Sequence, residues 1–505
     1  MNKMIGRLLR RILAVLPAVL LQIVWIIILL RWLVPYSAVL NAVLTLFAVF
    51  YVLYIMSNRN ESTYKTLWLL VILGLPVAGT ILYLCLGNKK TARPLKKKLE
   101  KARAQLPPEI SSAALPFEKA DRETLRTVQT IQAVQKATGY PVLPCEEAKY
   151  YPLGEQMWQD MLADLETAEH SVFVEYFILE NGLMWDSMVE ILSRKAADGV
   201  DVRVIYDDLG SISTYSRENA RQLEKMGIRC IAFNPLKFIR GTINYRDHRK
   251  MLIIDGRIAF SGGVNLADEY INHVPKYGHW KDIGFRITGT PVQNYTRMFT
   301  EFWNAFSGSP IPEPIPEPEM SEGKNGYVLS YYDSPIRPDA VSNNLYTELL
   351  SQATRYAWFF TPYLMLGDTL LDAFVRAARR GVDVRIIMPG IPDKKLVYRM
   401  SRSYYFTLLE AGVKIYEYEP GFVHAKACLT DDIVGTVGTV NLDYRSLFLH
   451  FENNSLFYRT PLLADLKADF LATQEKCRER TLDNIGKGFW KWFIDGILRI
   501  FAPLC

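Results

Sequence analysis

The pattern of apolar and polar positions changes in character near residue 105. Before it the chain holds three apolar stretches of nearly membrane-spanning length, Ile12–Leu33, Val39–Met56 and Leu67–Leu86. The first follows the basic segment Asn2–Arg11 without a small-residue cleavage site, which is typical of an uncleaved anchor rather than a leader peptide. The pattern therefore predicts that residues 1–105 are a membrane anchor with two or three hydrophobic segments and a basic juxtamembrane run.

Lys and Arg residues cluster both before the first apolar stretch and after the third, between Lys89 and Arg103. Positively charged flanks favour the cytoplasmic side, yet three full crossings would place the two ends on opposite sides. The number of crossings therefore stays open. We expect a plasma-membrane protein whose globular part lies in the cytoplasm, close to anionic phospholipid head groups.

Beyond the anchor, β-branched runs alternate with amphipathic helical patterns. Val200–Tyr206 and Val382–Met388 are predicted strands, and Trp185–Ala197 and Leu370–Arg380 are predicted helices. Such alternation indicates an α/β fold with a substantially parallel sheet in each of two lobes. The predicted divisions are a helical connector (106–140), a first lobe (141–309), a Pro-rich extended linker (310–324), a second lobe (325–484) and an amphipathic C-terminal helix (485–505).

The composition of the chain indicates the redox environment in which the protein works and little more about its function. The 505-residue chain carries a formal charge of +6 and six cysteines, none in a CxxC spacing. This usage fits a reducing environment and predicts neither a disulfide framework nor a zinc site.

The two lobes repeat one spaced motif, HxKxxxxD, in a chain with only six histidines. In each copy an asparagine follows the histidine by 17 residues, within a Gly-containing turn. The segment Gly199–Arg203 also reappears upstream of the second copy as Gly381–Arg385, so the lobes are a duplicated unit. The candidate residues are His248, Lys250, Asp255 and Asn265 in the first copy and His424, Lys426, Asp431 and Asn441 in the second.

The spacing from His to Lys puts both side chains on one face of a predicted strand, and Asp255-Gly256 predicts a hairpin turn after it. If a pseudo-twofold axis relates the lobes, two imidazoles, two ammonium groups and two amides converge on a cationic, phosphate-sized pocket. One neutral imidazole can attack a phosphodiester while the other, protonated, supplies the proton for the leaving alkoxide. The lysines and asparagines would hold the phosphate oxygens, so neither a metal nor another cofactor is required.

Each imidazole needs an acceptor on its second nitrogen. We expect Asp282 to orient His248 and Glu452 to orient His424, each within its own lobe. Asp255 and Asp431 belong to the motif, but they lie past the strand on the turn, so we expect them to be structural.

This constellation resembles the phospholipase D superfamily over 141–483. Shorter matches at Tyr206–Ser211, Gly262–Asn265, Asn441–Ser446 and His450–Asn454 resemble bacterial cardiolipin synthases in particular. The resemblance implies two phospholipase D-like α/β lobes with a shared active site. It also implies phosphatidyl transfer between two phosphatidylglycerol molecules through a phosphohistidine, with release of glycerol.

Family precedent favours His248 as the nucleophile and His424 as the acid and base, an assignment that sequence symmetry alone leaves open. Gly263 and Thr439 stand where many members of the superfamily have serine, so we expect a hydroxyl contact to phosphate to be missing in the first lobe.

Four other functions remain to be tested. The motifs alone also fit a phospholipase D-type hydrolase or a phosphatidyltransferase with another acceptor. A nuclease is disfavoured because the long basic run is juxtamembrane rather than on the lobes, so no nucleic acid partner is predicted. A catalytically dead membrane scaffold is disfavoured because both motif copies are intact.

Overall fold

The structure, a computed structural model, describes residues 20–28, 37–58, 61–87, 92–107, 112–113, 122–235, 244–311, 325–337, 339–486 and 488–504. The basic segment 2–11, much of the first apolar stretch and most of the predicted linker lie outside these residues. An N-terminal unit ends at Pro94, and a second unit that begins at Leu95 contains both lobes.

In the N-terminal unit, residues 20–28 are helical and further helices span Ser37–Ser57, Ser62–Gly74 and Pro76–Leu82, followed by a π-helical turn over Tyr83–Gly87. Glu61 caps the helix Ser62–Gly74 by accepting hydrogen bonds from the backbone N–H groups of Thr63 and Tyr64. The third predicted apolar stretch is thus interrupted at Leu75 and Pro76. Within the described ranges, no helix is both long enough and apolar enough to span a bilayer.

The second unit contains two large sheets, one in each lobe. The first has seven strands in the order β2-β9-β7-β6-β3-β4-β5, and the second has nine in the order β1-β10-β17-β16-β15-β11-β12-β13-β18. The strands are β1 Leu143–Pro144, β2 Glu147–Tyr151, β3 Ser171–Tyr176, β4 Asp201–Asp207, β5 Arg229–Phe233, β6 Lys250–Ile254, β7 Ile258–Gly262, β8 His279–Lys281, β9 Gly284–Thr288, β10 Tyr327–Asp333, β11 Tyr356–Phe360, β12 Asp383–Pro389, β13 Lys414–Tyr418, β14 Gly421–Val423, β15 Ala427–Thr430, β16 Val434–Gly438, β17 Glu452–Tyr458 and β18 Cys477–Arg480.

Strand order shows the duplication directly, because β2-β9-β7-β6-β3-β4-β5 corresponds to β10-β17-β16-β15-β11-β12-β13. Only three neighbouring strands of each set run parallel, namely β3-β4-β5 and β11-β12-β13. The remaining pairs are antiparallel. The expectation of a substantially parallel sheet is therefore wrong for the other strands of each set, β2-β9-β7-β6 and β10-β17-β16-β15. A short hairpin turn joins β6 to β7 and β15 to β16, which makes each of these two pairs antiparallel.

The helices of the second unit surround these sheets. In the first lobe, Trp185, Met188 and Leu192 of the helix Leu183–Ala197 are buried in the core. The helices are Arg93–Ala104, Arg122–Thr138, Gly154–Leu165, Leu183–Ala197, Arg217–Lys225, Val292–Phe306, Val341–Gln352, Asp368–Arg379, Lys395–Ser403, Tyr405–Glu410, Tyr444–Phe448, Leu462–Gln474 and Phe489–Phe501, with 3-10 turns at Asp268–Ile271 and Ala502–Leu504.

One strand pairing crosses a predicted domain boundary. β1, which the boundary at residue 141 assigns to the first lobe, pairs with β10 of the second sheet.

The cysteines Cys145, Cys230, Cys428 and Cys477 are free thiols.

Candidate active site

Both motif histidines lie just before a strand rather than on it. His248 precedes β6, and His424 lies between β14 and β15. The backbone of each is held by the opposite lobe, since the His248 N–H donates to the Phe451 carbonyl (2.9 Å) and the His424 N–H donates to the Lys281 carbonyl (2.7 Å). The strands predicted to include the histidines therefore begin after them, at Lys250 and at Ala427. The histidine backbones are hydrogen-bonded to the other lobe instead.

The carboxylates that orient the imidazoles also come from the opposite lobe. Nδ1 of His248 lies 2.8 Å from Oε2 of Glu452, and Nδ1 of His424 lies 2.6 Å from Oδ2 of Asp282. The expected pairing within each lobe is wrong, and the two assignments are exchanged. The reason is topological, because the residues preceding each carboxylate run parallel to the segment preceding the other lobe's histidine, in the β14-β8 pair and in the Asp247–Phe451 bridge.

This contact fixes the tautomer. A carboxylate only accepts, so a neutral imidazole bonded to it carries its proton on Nδ1 and its lone pair on Nε2. Both histidines are almost fully buried, with 8% of His248 and 7% of His424 exposed. Each lobe thus presents one Nε2 suited to attack phosphorus or to exchange a proton with an alcohol.

The two lysines form a buried cationic pair around these rings. Nζ of Lys250 donates to the His248 carbonyl (2.7 Å), and Nζ of Lys426 donates to the His424 carbonyl in the same way. Burial lowers the pKa of Lys250 to about 8, opposed by Glu452 and Asp282. Burial together with the charge of Lys250 lowers the pKa of Lys426 to about 7, opposed by the same carboxylates. The lysines thus titrate near physiological pH.

Burial and the lysine charges also keep the imidazoles neutral. Burial lowers the pKa of His424 to about 4, assisted by Lys426 and opposed by Asp282. The pKa of His248 falls well below 6.5 through burial and through the charges of Lys250, Lys426 and His424, among others. Because the charges of both lysines act on both imidazoles, the two histidines and the two lysines belong to one cluster formed by both lobes.

The motif aspartates occupy another place. Asp255 accepts hydrogen bonds from the backbone N–H groups of residues 169–171, at 2.7 to 2.9 Å. Asp431 accepts from residues 354–356 at the corresponding place in the second lobe. Both lie on hairpin turns with positive φ, 52° and 54°. They join the hairpin to the start of β3 or β11 and do not contact the imidazoles, as expected for structural residues.

The two asparagines differ. Oδ1 of Asn265 accepts from the Ile178 N–H (3.1 Å), and its Nδ2 donates to the Tyr270 hydroxyl (2.7 Å). Nδ2 of Asn441 donates to Asp443 (3.0 Å), whereas its buried Oδ1 has no hydrogen-bond partner. An amide binds a phosphate oxygen through its N–H groups, and Nδ2 of each asparagine already donates one of its two N–H groups, so the predicted phosphate contact depends on the second N–H of each residue.

The residues that replace serine have distinct roles. A Cβ at Gly263 would lie 2.0 Å from Oδ1 of Asp282, so only glycine leaves room for that carboxylate. Thr439, the counterpart of Gly263, donates its hydroxyl to Oε2 of Glu452 (2.5 Å). The hydroxyl expected for phosphate binding therefore supports the carboxylate behind His248.

Three neighbours of the site were not predicted. His450 lies beside His248, with ring centroids 5.9 Å apart, and Trp280 lies beside His424 at 5.5 Å. His450 precedes Glu452 by two residues, and Trp280 precedes Asp282 by two residues. Comparing the two lobes at this shared position would have identified both neighbours from the sequence. Asn453 also crosses between lobes, because its Oδ1 accepts from the Lys250 N–H (3.0 Å) and its Nδ2 donates to Ser261 (2.7 Å).

Within the ranges that the structure describes, no group of three or more His, Cys, Asp or Glu side chains is arranged to hold a metal ion. The site's positive charge comes from lysine.

A family model described as the cardiolipin synthase, phospholipase D-like domain matches residues 161–303 and 346–473, which contain both motif copies. The chain belongs to the cardiolipin synthase family. The phospholipase D-nuclease N-terminal model also matches residues 43–88. The matches confirm the interpretation as a cardiolipin synthase of the phospholipase D superfamily, and with it the enzyme class of phospholipid phosphatidyltransferases.

Three bacterial proteins are similar to this chain over most of its length, and two of them are cardiolipin synthases. A cardiolipin synthase of Geobacillus kaustophilus is 34% identical over 86% of this chain and 87% of its own length. A cardiolipin synthase of Alkalihalophilus pseudofirmus is 32% identical over 92% of this chain and 93% of its own. A Streptococcus mutans protein described as uncharacterized is 40% identical over 90% of this chain and 99% of its own.

The fold also recurs in a solved structure. A phosphatidylserine synthase from Haemophilus influenzae superposes with a TM-score of 0.54 at 15% identity, covering 74% of this chain and 98% of that one. At this identity the likeness shows that this chain shares its fold with that protein, and no more.

Proposed function

We propose that this enzyme makes cardiolipin from two molecules of phosphatidylglycerol through a phosphohistidine, and that it releases one glycerol. The observation that carries the proposal is the pair of buried imidazoles, each oriented at Nδ1 by a carboxylate of the opposite lobe. Two equivalent imidazoles with two adjacent lysines match a double displacement at phosphorus, in which one ring bonds to phosphorus and the other moves the proton.

In the first half-reaction Nε2 of His248 attacks the phosphorus of phosphatidylglycerol and the bond to the glycerol oxygen breaks. His424 gives a proton to that oxygen. The pKa of His424 is about 4. A bound phosphodiester adds a negative charge beside Lys250 and Lys426, which raises the imidazole pKa and favours uptake of the proton that the step needs.

In the second half-reaction the terminal hydroxyl of another phosphatidylglycerol attacks the phosphatidyl-histidine. Neutral His424 takes the hydroxyl proton, the P–N bond breaks, and cardiolipin forms with both histidines restored. Lys250, Lys426 and the amide N–H groups of Asn265 and Asn441 hold the nonbridging oxygens as charge develops on them. Asp282 and Glu452 act as positioning residues.

Exchange between two similar phosphodiesters has little driving force, so the site must admit a lipid alcohol in preference to water. We propose that residues 1–105 keep the catalytic lobes at the cytoplasmic face of the plasma membrane, where both substrates reside. The support is the sequence pattern of apolar stretches with basic flanks. Protease accessibility of the lobes in right-side-out and inverted membrane vesicles tests this orientation, and digestion in right-side-out vesicles would contradict it.

The reaction is tested by incubating the purified enzyme with glycerol-labelled phosphatidylglycerol in mixed micelles that contain a chelator. Equal amounts of cardiolipin and free glycerol are expected, and neither product from the His248→Ala or His424→Ala variant. Phosphatidic acid in place of cardiolipin would make the enzyme a hydrolase. Cardiolipin formation by the double variant would overturn the mechanism.

A further inference from the structure

The C-terminal helix Phe489–Phe501 has its polar and apolar sides reversed relative to an ordinary surface helix. Its large apolar side chains point outward, with Trp490 72%, Trp492 69% and Phe489 65% exposed. Its charged residues Asp495 and Arg499 are only partly exposed. A helix that merely packs on its own domain buries the apolar side and exposes the charges.

The polar side is bound to the second lobe, so the orientation is set by specific contacts. Arg499 donates to the Ser403 carbonyl and to the Thr407 hydroxyl, the latter at 3.2 Å. Its guanidinium also stacks on Tyr404, 4.9 Å from the ring centroid. Lys491 and Asp495, one turn apart, pair with each other. These contacts hold the aromatic side away from the protein.

The helix adjoins segments that carry the active site. After it, the Leu504 carbonyl accepts a hydrogen bond from Arg445 (2.7 Å), in the short helix Tyr444–Phe448 between Asn441 and Glu452. The helix Lys395–Ser403, whose last residue Arg499 contacts, directly follows Lys394. Nζ of Lys394 lies 3.5 Å from the hydroxyl of Tyr363, whose ring lies beside Phe422, a neighbour of His424, so this segment borders the site.

We propose that the outward side of Phe489–Phe501 inserts into the interfacial layer of an anionic phospholipid bilayer and holds the active site against the lipid surface. Exposed Trp and Phe side chains suit the head-group region of a bilayer. Lys394 is 64% exposed, and Lys395 and Arg399 beside it are also exposed, which matches the negative charge of such a surface. The inference rests on the proposed function for the identity of the lipid.

Activity tests the consequence of docking. The full-length enzyme and a Trp490→Ala/Trp492→Ala/Phe493→Ala variant are compared on phosphatidylglycerol vesicles and on short-chain phosphatidylglycerol dissolved below its micelle concentration. We expect a loss of about fivefold or more on vesicles and none on the dissolved lipid. The control is Met226→Ala/Leu471→Ala, which truncates apolar residues that are 43% and 38% exposed elsewhere on the lobes. An equal loss on both substrates, or none on either, would overturn the proposal.

A direct measurement keeps the proposal testable if the catalytic assignment fails. Tryptophan fluorescence of the full-length enzyme is quenched with vesicles of brominated phosphatidylglycerol, and the Trp490→Phe/Trp492→Phe variant is measured in parallel. Removing these two indoles is expected to lower the quenched fraction. An unchanged quenched fraction, or a drop in oligomeric state of the alanine variant with vesicle activity intact, would assign the surface to a second copy of the chain instead.

Discussion

The two lobes share a strand order and a motif, but they surround their histidines differently. Behind His248 lie Glu452 and the Thr439 hydroxyl, and beside it lies His450. Behind His424 lies Asp282, in the space that Gly263 leaves free, and beside it lies Trp280. Each imidazole is hydrogen-bonded at Nδ1 and packs against an aromatic ring, Phe177 at 4.8 Å for His248 and Trp280 at 5.5 Å for His424. The difference is that a hydroxyl, Thr439, bonds to the carboxylate behind His248 where the first lobe has Gly263.

This difference shows how duplicated halves can take unequal chemical roles. The backbone frame is the same, since Gly263 N–H donates to the Ile283 carbonyl and Thr439 N–H to the Asn453 carbonyl, each at 2.9 Å. Only side chains change, and they change the support of each carboxylate. A nucleophile and an acid need such unequal surroundings, because one must react neutral and the other charged.

The largest effect is expected from removing either imidazole. His248→Ala and His424→Ala should each lower cardiolipin formation by about 10⁴-fold or more, because the two rings act as a unit. The assignment of roles is checked with a phosphodiester that carries a good leaving group and needs no acid. His424→Ala should then accumulate a phosphoenzyme and His248→Ala none, and the opposite result would exchange the two roles.

The crossed carboxylates should come next. Glu452→Gln and Asp282→Asn are each expected to lower kcat on the order of 10³-fold, since an amide no longer fixes the tautomer or the charge of the imidazole. Steady-state kinetics on correctly folded protein measures the effect. Asp255→Asn is the matched control, because this carboxylate binds only backbone N–H groups in the structure. A comparable loss of kcat in the control would refute the structural role of Asp255.

The pair Gly263 and Thr439 sharpens the comparison further. Gly263→Ser should lower kcat about 10²-fold by displacing Asp282 from its place behind His424. Thr439→Val should cost about tenfold, the value of one charge-assisted hydrogen bond to Glu452. Thr439→Ser keeps the hydroxyl and serves as the control. Retention of full activity by Gly263→Ser would show that Asp282 tolerates the added side chain.

The smallest expected effect is the pH dependence of substrate affinity. The pKa of Lys426 is about 7 and that of Lys250 about 8, so the site loses positive charge as pH rises through this range. An anionic phosphodiester binds the protonated lysines, so KM should rise about tenfold between roughly pH 7 and 9. Lys426→Arg, which stays charged, should flatten the lower part of this rise. A KM independent of pH in the parent enzyme would contradict the lowered pKa values.

Much of the frame was predictable because it depends on local pattern. The strand predicted over Val382–Met388 is observed at Asp383–Pro389, and the helix predicted over Leu370–Arg380 at Asp368–Arg379. The turn at Asp255-Gly256 also forms, with positive φ at both residues. Alternation and turn chemistry suffice for such elements.

The crossed pairing was not predictable in this way. Periodicity describes which residues share a face of one strand, but it contains nothing about which edge of one lobe meets the other. Glu452 and Asp282 were recognised as carboxylates near the repeat, and only the parallel contact of β14 with β8 and of Asp247 with Phe451 determines their partners. The need for glycine at position 263 follows from the same contact.

The separation of His248 from Glu452 by 204 residues has a consequence for how the enzyme is made. A ribosome completes the first lobe, with its histidine and lysine, long before it adds the carboxylate that orients that histidine. Until the last third of the second lobe is synthesised, the nascent chain has no carboxylate to orient His248 for attack on a phosphodiester. Reactivity therefore begins only once both lobes have been translated and docked.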